Sequence, residues 1–320
     1  MPLPPPLDRL ALPVIGSPLF IASNPDLVIA QCTSGIVGSF PALNARPKEE
    51  LEKWIDRIER ALDDHRRAHP GAIVGPYAVN QIIHKSNDRL DHDLEVCIRR
   101  KVPIIISSLR APNEIIPAVH SYGGLVLHDI ISLRHAEKAI QAGVDGLILV
   151  CAGAGGHAGT LSPFALAGEV RRIFKGPLVV AGAITTGAHV LAAQALGCDL
   201  AYLGTRFLAT PEANVPDRYR DAIVQSTAAD IVYTDLFTGV HGNYLRSSVI
   251  AAGFDPQDLP RSDPSKMNFG SGGNAEKKAW RDIWSAGQGV GQIDQVMPAA
   301  EVVAQLKREY AAAKAALCGP

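Results

Sequence analysis

Gly146-Leu-Ile-Leu-Val150, followed by Cys151-Ala-Gly-Ala-Gly-Gly-His-Ala-Gly-Thr160 and then Ser162-Pro163, decides how this chain folds. A short apolar run without alternation reads as a strand buried on both faces. Ser162 ahead of Pro163 reads as the start of a helix, with proline in its first turn. Between them lies a glycine loop with one titratable side chain, His157. Glycines let backbone approach a flat or anionic ligand closely. An imidazole at such a turn can move a proton. The unit is therefore strand, glycine-rich crossing and helix.

The same unit repeats in both directions along the chain. Apolar runs at 12–15, 35–37, 72–79, 102–107, 125–128, 146–150, 178–181 and 200–203 read as eight strands. Between them, 48–69 places Leu51, Trp54, Ile55, Ile58 and Leu62 at helical spacing, and Pro70-Gly71 ends that pattern. Asn87 or Asp88 caps a helix running to about Arg100. A helix over 132–142 stops at Gly143, one starts at Ser162, and one over 187–196 stops at Gly197. Eight strands joined by helices predict an α/β fold, a (β/α)8 TIM barrel. A doubly wound sheet is the alternative, but it usually shows fewer strands before a boundary. After Thr210 the rhythm is lost. Residues 211–275, including the Gly/Ser/Pro-rich tract from Asp263 to Gly273, read as a smaller, mainly helical insertion or lid after the eighth strand. A last helix over 298–317 completes the outer ring, so 1–210 with 276–320 form the barrel.

Bulk properties narrow the function. With 47% apolar and 20% charged residues over 320 positions, the chain is an ordinary globular one. Its 31 basic and 32 acidic residues leave a net charge of −1, so no field for nucleic acid exists. Five scattered cysteines, an odd number, point to a reducing compartment and thiols. No zinc spacing is present, and no metal is expected. No run approaches the roughly 20 apolar residues of a membrane span. The start, Met-Pro-Leu-Pro-Pro-Pro, lacks the order of a signal peptide. A cytoplasmic protein without membrane partners is expected.

In a TIM barrel the chemistry lies at the C-terminal ends of the strands. Those ends read Gly16-Ser-Pro-Leu-Phe20, Asn80-Gln81, Ser107-Ser108, His128-Asp129, the glycine loop with His157, Ala181-Gly182-Ala183-Ile184-Thr185 and Gly204-Thr205-Arg206. Loops after the seventh and eighth strands commonly cradle phosphate with backbone N–H groups. Gly182 and Gly204 suit that approach, with Thr205 adding a hydroxyl; either glycine alone reads equally as a tight turn. Gly153-Ala-Gly155-Gly-His157-Ala158 also matches a loose dinucleotide fingerprint. Its place at the sixth strand, without an acidic strand end about 20 residues on, favours a flat ring lying over the glycines instead. Among ten histidines, His128 ends the fifth strand, where it lines a pocket or bonds a carbonyl in the core. His241, in Gly239-Val-His-Gly242, is a second candidate for touching substrate. Arg206 pairs with phosphate or forms a salt bridge behind the loop. Cys151 reads as a small core residue, since no cation flanks it to lower its pKa. Trp284-Ser285-Ala-Gly-Gln-Gly-Val-Gly291, glycine-rich and far from the strands, folds back over a cofactor or is a plain connection.

Together, Gly-Gly-His157-Ala-Gly, Ala181-Gly182-Ala183, Gly204-Thr-Arg-Phe-Leu-Ala-Thr210 and Trp284-Ser-Ala-Gly-Gln-Gly289 resemble the nitronate monooxygenases, formerly 2-nitropropane dioxygenases. The resemblance runs from about Leu12 to Asp294. It implies a monooxygenase flavoprotein: non-covalent FMN at the barrel mouth, its phosphate held by Gly182, Ala183, Gly204 and Thr205. Asn80, Asp129, Gly155, Gly156, Ala181, Ser285 and Gln288 would lie near the flavin, Pro18, Leu19 and Phe20 would run under its ring, and His157 matches the catalytic histidine. The chain departs from the pattern in its first loop, in Ala183 where a second glycine stands, and in Asp129 where some members carry lysine. An acid there removes a cation beside the flavin.

The reaction so implied is oxidation of an alkyl nitronate by O2 to a carbonyl compound and nitrite, with His157 as base on a neutral nitroalkane or as holder of the nitronate. The alternative is a flavin reductase using NAD(P)H as donor to a quinone or enoyl group. A third reading is a phosphate-binding barrel without turnover. The partners expected are a small-molecule substrate and O2, in a monomer or homodimer.

Overall fold

Alternation along eight short strands builds the molecule. The computed structural model describes residues 3–262 and 283–319. The barrel strands are β1 (Val14–Gly16), β2 (Gly38–Pro41), β3 (Tyr77–Ile83), β4 (Ile104–Leu109), β5 (Leu125–Ile130), β6 (Gly146–Val150), β8 (Leu178–Ala181) and β9 (Leu200–Leu203), all parallel to their neighbours; β7 (Gly156–His157) lies outside the barrel. The sheet runs β1-β9-β8-β6-β5-β4-β3-β2. Val37 closes it by bridging Ile15: Gly16 N–H donates to Val37 O at 2.8 Å, and Val37 N–H donates to Val14 O at 3.1 Å.

Side chains of period two divide between the two faces. Ile15, Val37, Ala78, Ile104, Ile106, Leu127, Ile148, Val179 and Leu200 fill the interior. Val14, Val79, Ile105, Val126, Leu147, Leu149, Val180 and Ala201 face the helices. Burying each large aliphatic side chain is worth about 1.5–3 kcal/mol. A one-residue slip would exchange the two sets, so the register is strongly specified.

The outer ring follows local signals. Pro25 follows the cap Asn24, whose Oδ1 accepts from Leu27 N–H at 3.0 Å, and opens α1 (Pro25–Thr33). Then come α2 (Glu50–Ala68), α3 (Leu90–Arg99) and α4 (Ile116–His120). α5 (Leu133–Ala142) is capped by Ser132 and stopped by Gly143 at φ 93°. α6 (Pro163–Ile173) is capped by Ser162. α7 (Gly187–Ala195) and α8 (Thr205–Leu208) complete this part of the chain. α1 and the five-residue α4 escape the sequence reading. The second strand lies at 38–41 rather than 35–37, because Gly35, at φ 90°, still belongs to the turn leaving α1. Neither Asn87 nor Asp88 is the cap of α3. The cap position is Arg89, and Asn87 instead accepts from Arg89 N–H and donates to Ile82 O.

The segment after residue 210 contains α9 (Asp217–Gln225) and α10 (Arg246–Ala251), but also β10 (Ile231–Thr234) and β11 (Gly242–Leu245). These strands form an antiparallel sheet, β10-β11-β7, with the sixth barrel loop. Helix still exceeds strand there, but the two strands are an addition the sequence does not show: β11 pairs with a segment about 85 residues away. The tract 263–273 and the expected boundary at 275 lie outside the described residues. The last helix, α11 (Ala299–Cys318), packs on α7 and α1, and Lys307 Nζ donates to Ser34 O at 2.9 Å. Among the described residues no helix is long and apolar enough to cross a membrane.

Candidate active site

The parity that fills the barrel also builds its mouth. Two residues beyond the apolar layer, the inward positions are Asn80, Ser108, Asp129, Val150, Ala181 and Tyr202. Asn80 Nδ2 donates to Ile106 O at 3.1 Å and to Ser108 Oγ at 2.8 Å. Ser108 Oγ donates to Asp129 Oδ2 at 2.5 Å. Burial pushes the Asp129 carboxyl up to about 7, against the lowering effect of that hydrogen bond. Its other oxygen, Oδ1, and the Tyr202 hydroxyl are both buried without a hydrogen-bond partner. Each such atom costs roughly 1–3 kcal/mol unless a ligand or water completes it. Sequence reading missed Tyr202 and gave Ser108 only as a strand end without a role; the period of β4 and β9 is the signal for both.

Beside this polar ring, three distant segments meet on the glycine loop. Gly153 O accepts from Ala183 N–H at 3.3 Å and from Gln288 N–H at 2.9 Å. Thr205 Oγ1 accepts from Gly287 N–H at 2.9 Å. The approach is too close for side chains: a Cβ on Gly155 would lie 2.8 Å from Gly287 N, and one on Gly204 would lie 2.7 Å from Ser17 Oγ. Gly182 and Ala183 both have positive φ, 139° and 54°. Leu19, Gly155, Gly182, Ala183, Gly204, Thr205 and Gln288 are thus brought together, with Ala181 just below. Ser285 is paired to Tyr244 in an antiparallel bridge. Asn243, unremarked in the sequence, holds the loop by donating from Nδ2 to Ala154 O at 2.7 Å. Asn44 pins the first loop, accepting from Ile21 N–H and donating to Leu19 O and Ser23 O. In that loop Pro18 is half-buried, while Phe20 is exposed beneath the Arg46 guanidinium, 5.7 Å from its ring centre.

The glycine loop does not run directly into a helix, as a dinucleotide turn would. It first forms β7, where Gly156 pairs with Asn243 and His157 with Gly242. His157 Nε2 lies 3.1 Å from Thr238 Oγ1. That hydroxyl also lies 2.8 Å from Val240 O, so Thr238 fixes the orientation of the imidazole. Burial pushes the ring down to about 4, leaving it neutral at pH 7. Directly paired residues share a face, so the Tyr244 side chain stands on the same side as His157, its hydroxyl buried beside Thr238.

The two other histidine expectations fare differently. His128 does not line the mouth. It sits one residue before Asp129 and so points outward into the helix layer, 3% exposed, with Nδ1 2.8 Å from Ser107 Oγ. Burial pushes it, too, down to about 4. His241 is exposed and stacks on Tyr233 at 5.1 Å, on the sheet face opposite His157. Arg206 is buried behind the loop, donating to Gln295 O, Met297 S and Gln305 Oε1. Cys151 is buried and its thiol is pushed up to about 12, as befits a core residue. Among the described residues no cluster of metal-ligating side chains occurs.

A closed parallel barrel that gathers a glycine cradle and an imidazole at the C-terminal ends of its strands defines a TIM-barrel enzyme, and its relatives make it an oxidoreductase. Residues 63–309 match the family described as nitronate monooxygenase. The chain belongs to that family, which is flavin-dependent. It is 29% identical to a nitronate monooxygenase of Paraburkholderia phytofirmans, over 95% of this chain and 93% of that one. In fold it is similar to a nitroalkane oxidase from Streptomyces ansochromogenes, with a TM-score of 0.79, 24% identity, and 97% and 99% of the two chains covered. FabK from Thermotoga maritima superposes with a TM-score of 0.76, at 24% identity over 97% and 96% of the chains.

Proposed function

We propose that this chain oxidises alkyl nitronates with O2, giving a carbonyl compound and nitrite, with FMN bound non-covalently at the barrel mouth. The observation that carries the reading is the convergence of Gly153, Ala183, Thr205 and Gln288 beside a mouth with orphaned buried polar atoms, next to a neutral imidazole. Close-packed glycines suit a phosphate and a flat ring better than a bulky polar ligand. The chemistry of bound FMN is electron transfer between substrate and O2.

The protein's part is binding and proton handling. Gly182, Ala183, Gly204 and Thr205 hold the phosphate. Asn80, Gly156, Ser285 and Gln288 bound the ring, with Pro18, Leu19 and Phe20 on its other side. His157 takes the α-proton of a neutral nitroalkane, while Thr238 holds the ring's orientation through Nε2. When the substrate arrives already as a nitronate, proton uptake by His157 places a cation beside the anion. Nitronate affinity then rises as pH falls.

The test is the absorption spectrum of the purified, FMN-loaded protein followed by nitrite release from a nitronate in air. Flavin retained with nitrite produced supports the reading. Rapid bleaching on anaerobic mixing with NADPH, without nitrite production, supports reduction of a quinone or enoyl group instead. A colourless protein that takes up no FMN removes both.

A further inference from the structure

Asn80, Ser108 and Asp129 form a chain of hydrogen bonds in the barrel mouth. Asn80 Nδ2 can only donate, so it donates to Ser108 Oγ. The Ser108 proton is then given to Asp129 Oδ2. With Oδ2 engaged by Ser108, Oδ1 is the carboxyl oxygen left to face a ligand. That atom is buried in the barrel mouth without a partner, as is the Tyr202 hydroxyl. The two lie close enough that a charge on Asp129 opposes ionisation of Tyr202.

We propose that Asp129 enters its complex as the neutral acid and donates through Oδ1 to a hydrogen-bond acceptor on the bound flavin, with the Tyr202 hydroxyl as a second donor beside it. The inference rests on the flavin reading above. The side chains facing Asp129 from the neighbouring strands are Asn80, Ser108, Val150, Ala181 and Tyr202. Only Tyr202 titrates, and burial holds it in the protonated form through the neutral range. The nearest histidine in sequence, His128, faces the other side of the wall. The carboxyl's upward displacement to about 7 agrees with a neutral acid. An ionised Asp129 would instead turn a bare oxyanion toward an electron-rich acceptor.

The experiment is FMN affinity, by quenching of flavin fluorescence, for wild type, Asp129→Asn and Tyr202→Phe between about pH 7.5 and 9. The phosphate of FMN, with a second pKa of about 6, is already dianionic there. Wild-type Kd should rise with pH, approaching about tenfold per unit where only the neutral acid binds. Asp129→Asn, which keeps a donor but cannot ionise, should be flat. Tyr202→Phe should bind more weakly at every pH with the wild-type slope; that profile and the wild type's carry the test should Asp129→Asn fail to fold. A wild-type profile as flat as that of Asp129→Asn, or one improving with pH, overturns the inference: Asp129 then holds a bridging water only. Absence of FMN binding by wild type at every pH removes the flavin reading itself, a distinct result.

Discussion

Replacing Thr205 by valine tests whether the segment at 285–288 is anchored to the turn that follows β9. Thr205 Oγ1 accepts the Gly287 N–H at 2.9 Å, and both residues are buried. Valine keeps the β-branched shape but offers no acceptor. Leaving the buried N–H unsatisfied costs about 1–3 kcal/mol. Exchanging the hydroxyl for a methyl group returns up to about 0.8 kcal/mol of apolar burial. With the hydrogen-bond cost at the middle of its range, about 2 kcal/mol, that term wins, for a net loss of about 1–2 kcal/mol. Thr205→Ser, which keeps the oxygen, should lose well under half of that. Urea unfolding of the apoprotein measures the difference: with a slope near 3 kcal/mol/M, the midpoint should fall by about 0.3–0.7 M for Thr205→Val. FMN affinity should fall as well, because Gln288 N–H and Ala183 N–H share Gly153 O next door. A Thr205→Val midpoint within 0.1 M of wild type would refute the reasoning and show that Gly287 finds another acceptor.

Three further outcomes follow from the geometry. His157→Asn should retain FMN but lose at least about tenfold of turnover on neutral nitroalkanes, with a smaller loss on preformed nitronates; equal turnover on both would take the histidine out of proton transfer. Gly155→Ala places a Cβ 2.8 Å from Gly287 N, backbone that cannot simply swing aside, so calorimetry should show a lowered Tm and titration a weakened FMN affinity. His128, held in the protein at about 4 against an ordinary 6.5, binds fewer protons folded than unfolded. Its contribution to stability is therefore present above pH 6.5 and lost as pH falls toward 4, with a slope of up to about 1.4 kcal/mol per unit. His157 acts with the same sign. Asp129, raised to about 7, acts with the opposite sign over much of that window. His128→Gln should flatten the fall in urea midpoint between pH 6.5 and 4.5 and leave FMN affinity within about twofold; an unchanged fall would contradict the assignment.

His128 and Asp129 show how reading along the chain differs from reading across it. Adjacent at one strand end, both were candidates for the mouth. Only the register of β5 against β4 and β6 decides that Asp129 points in and His128 out. Tyr202 was overlooked, and Ser108 stood as a strand end without a role, for the same reason: a serine and a tyrosine carry no signal until the strands beside them are aligned. β10 and β11 were missed because their stabilising partner, β7, is itself only two residues long.

By itself the sequence determined the barrel and the glycine loops. Both rest on local physics: doubly buried strands must be apolar throughout, helices must be capped and stopped, and backbone that packs on backbone must lack a Cβ. Ser132, Ser162 and Gly143 do this work within a few residues of where they stand. The tertiary structure alone decided which strand-end side chains meet, that Thr238 orients His157 and Asn243 holds the loop, and that an acid lies uncompensated in the mouth. Those are contacts between residues tens to more than a hundred positions apart, and burial, which sets the charge of His157 and Asp129, is a property of the packed whole.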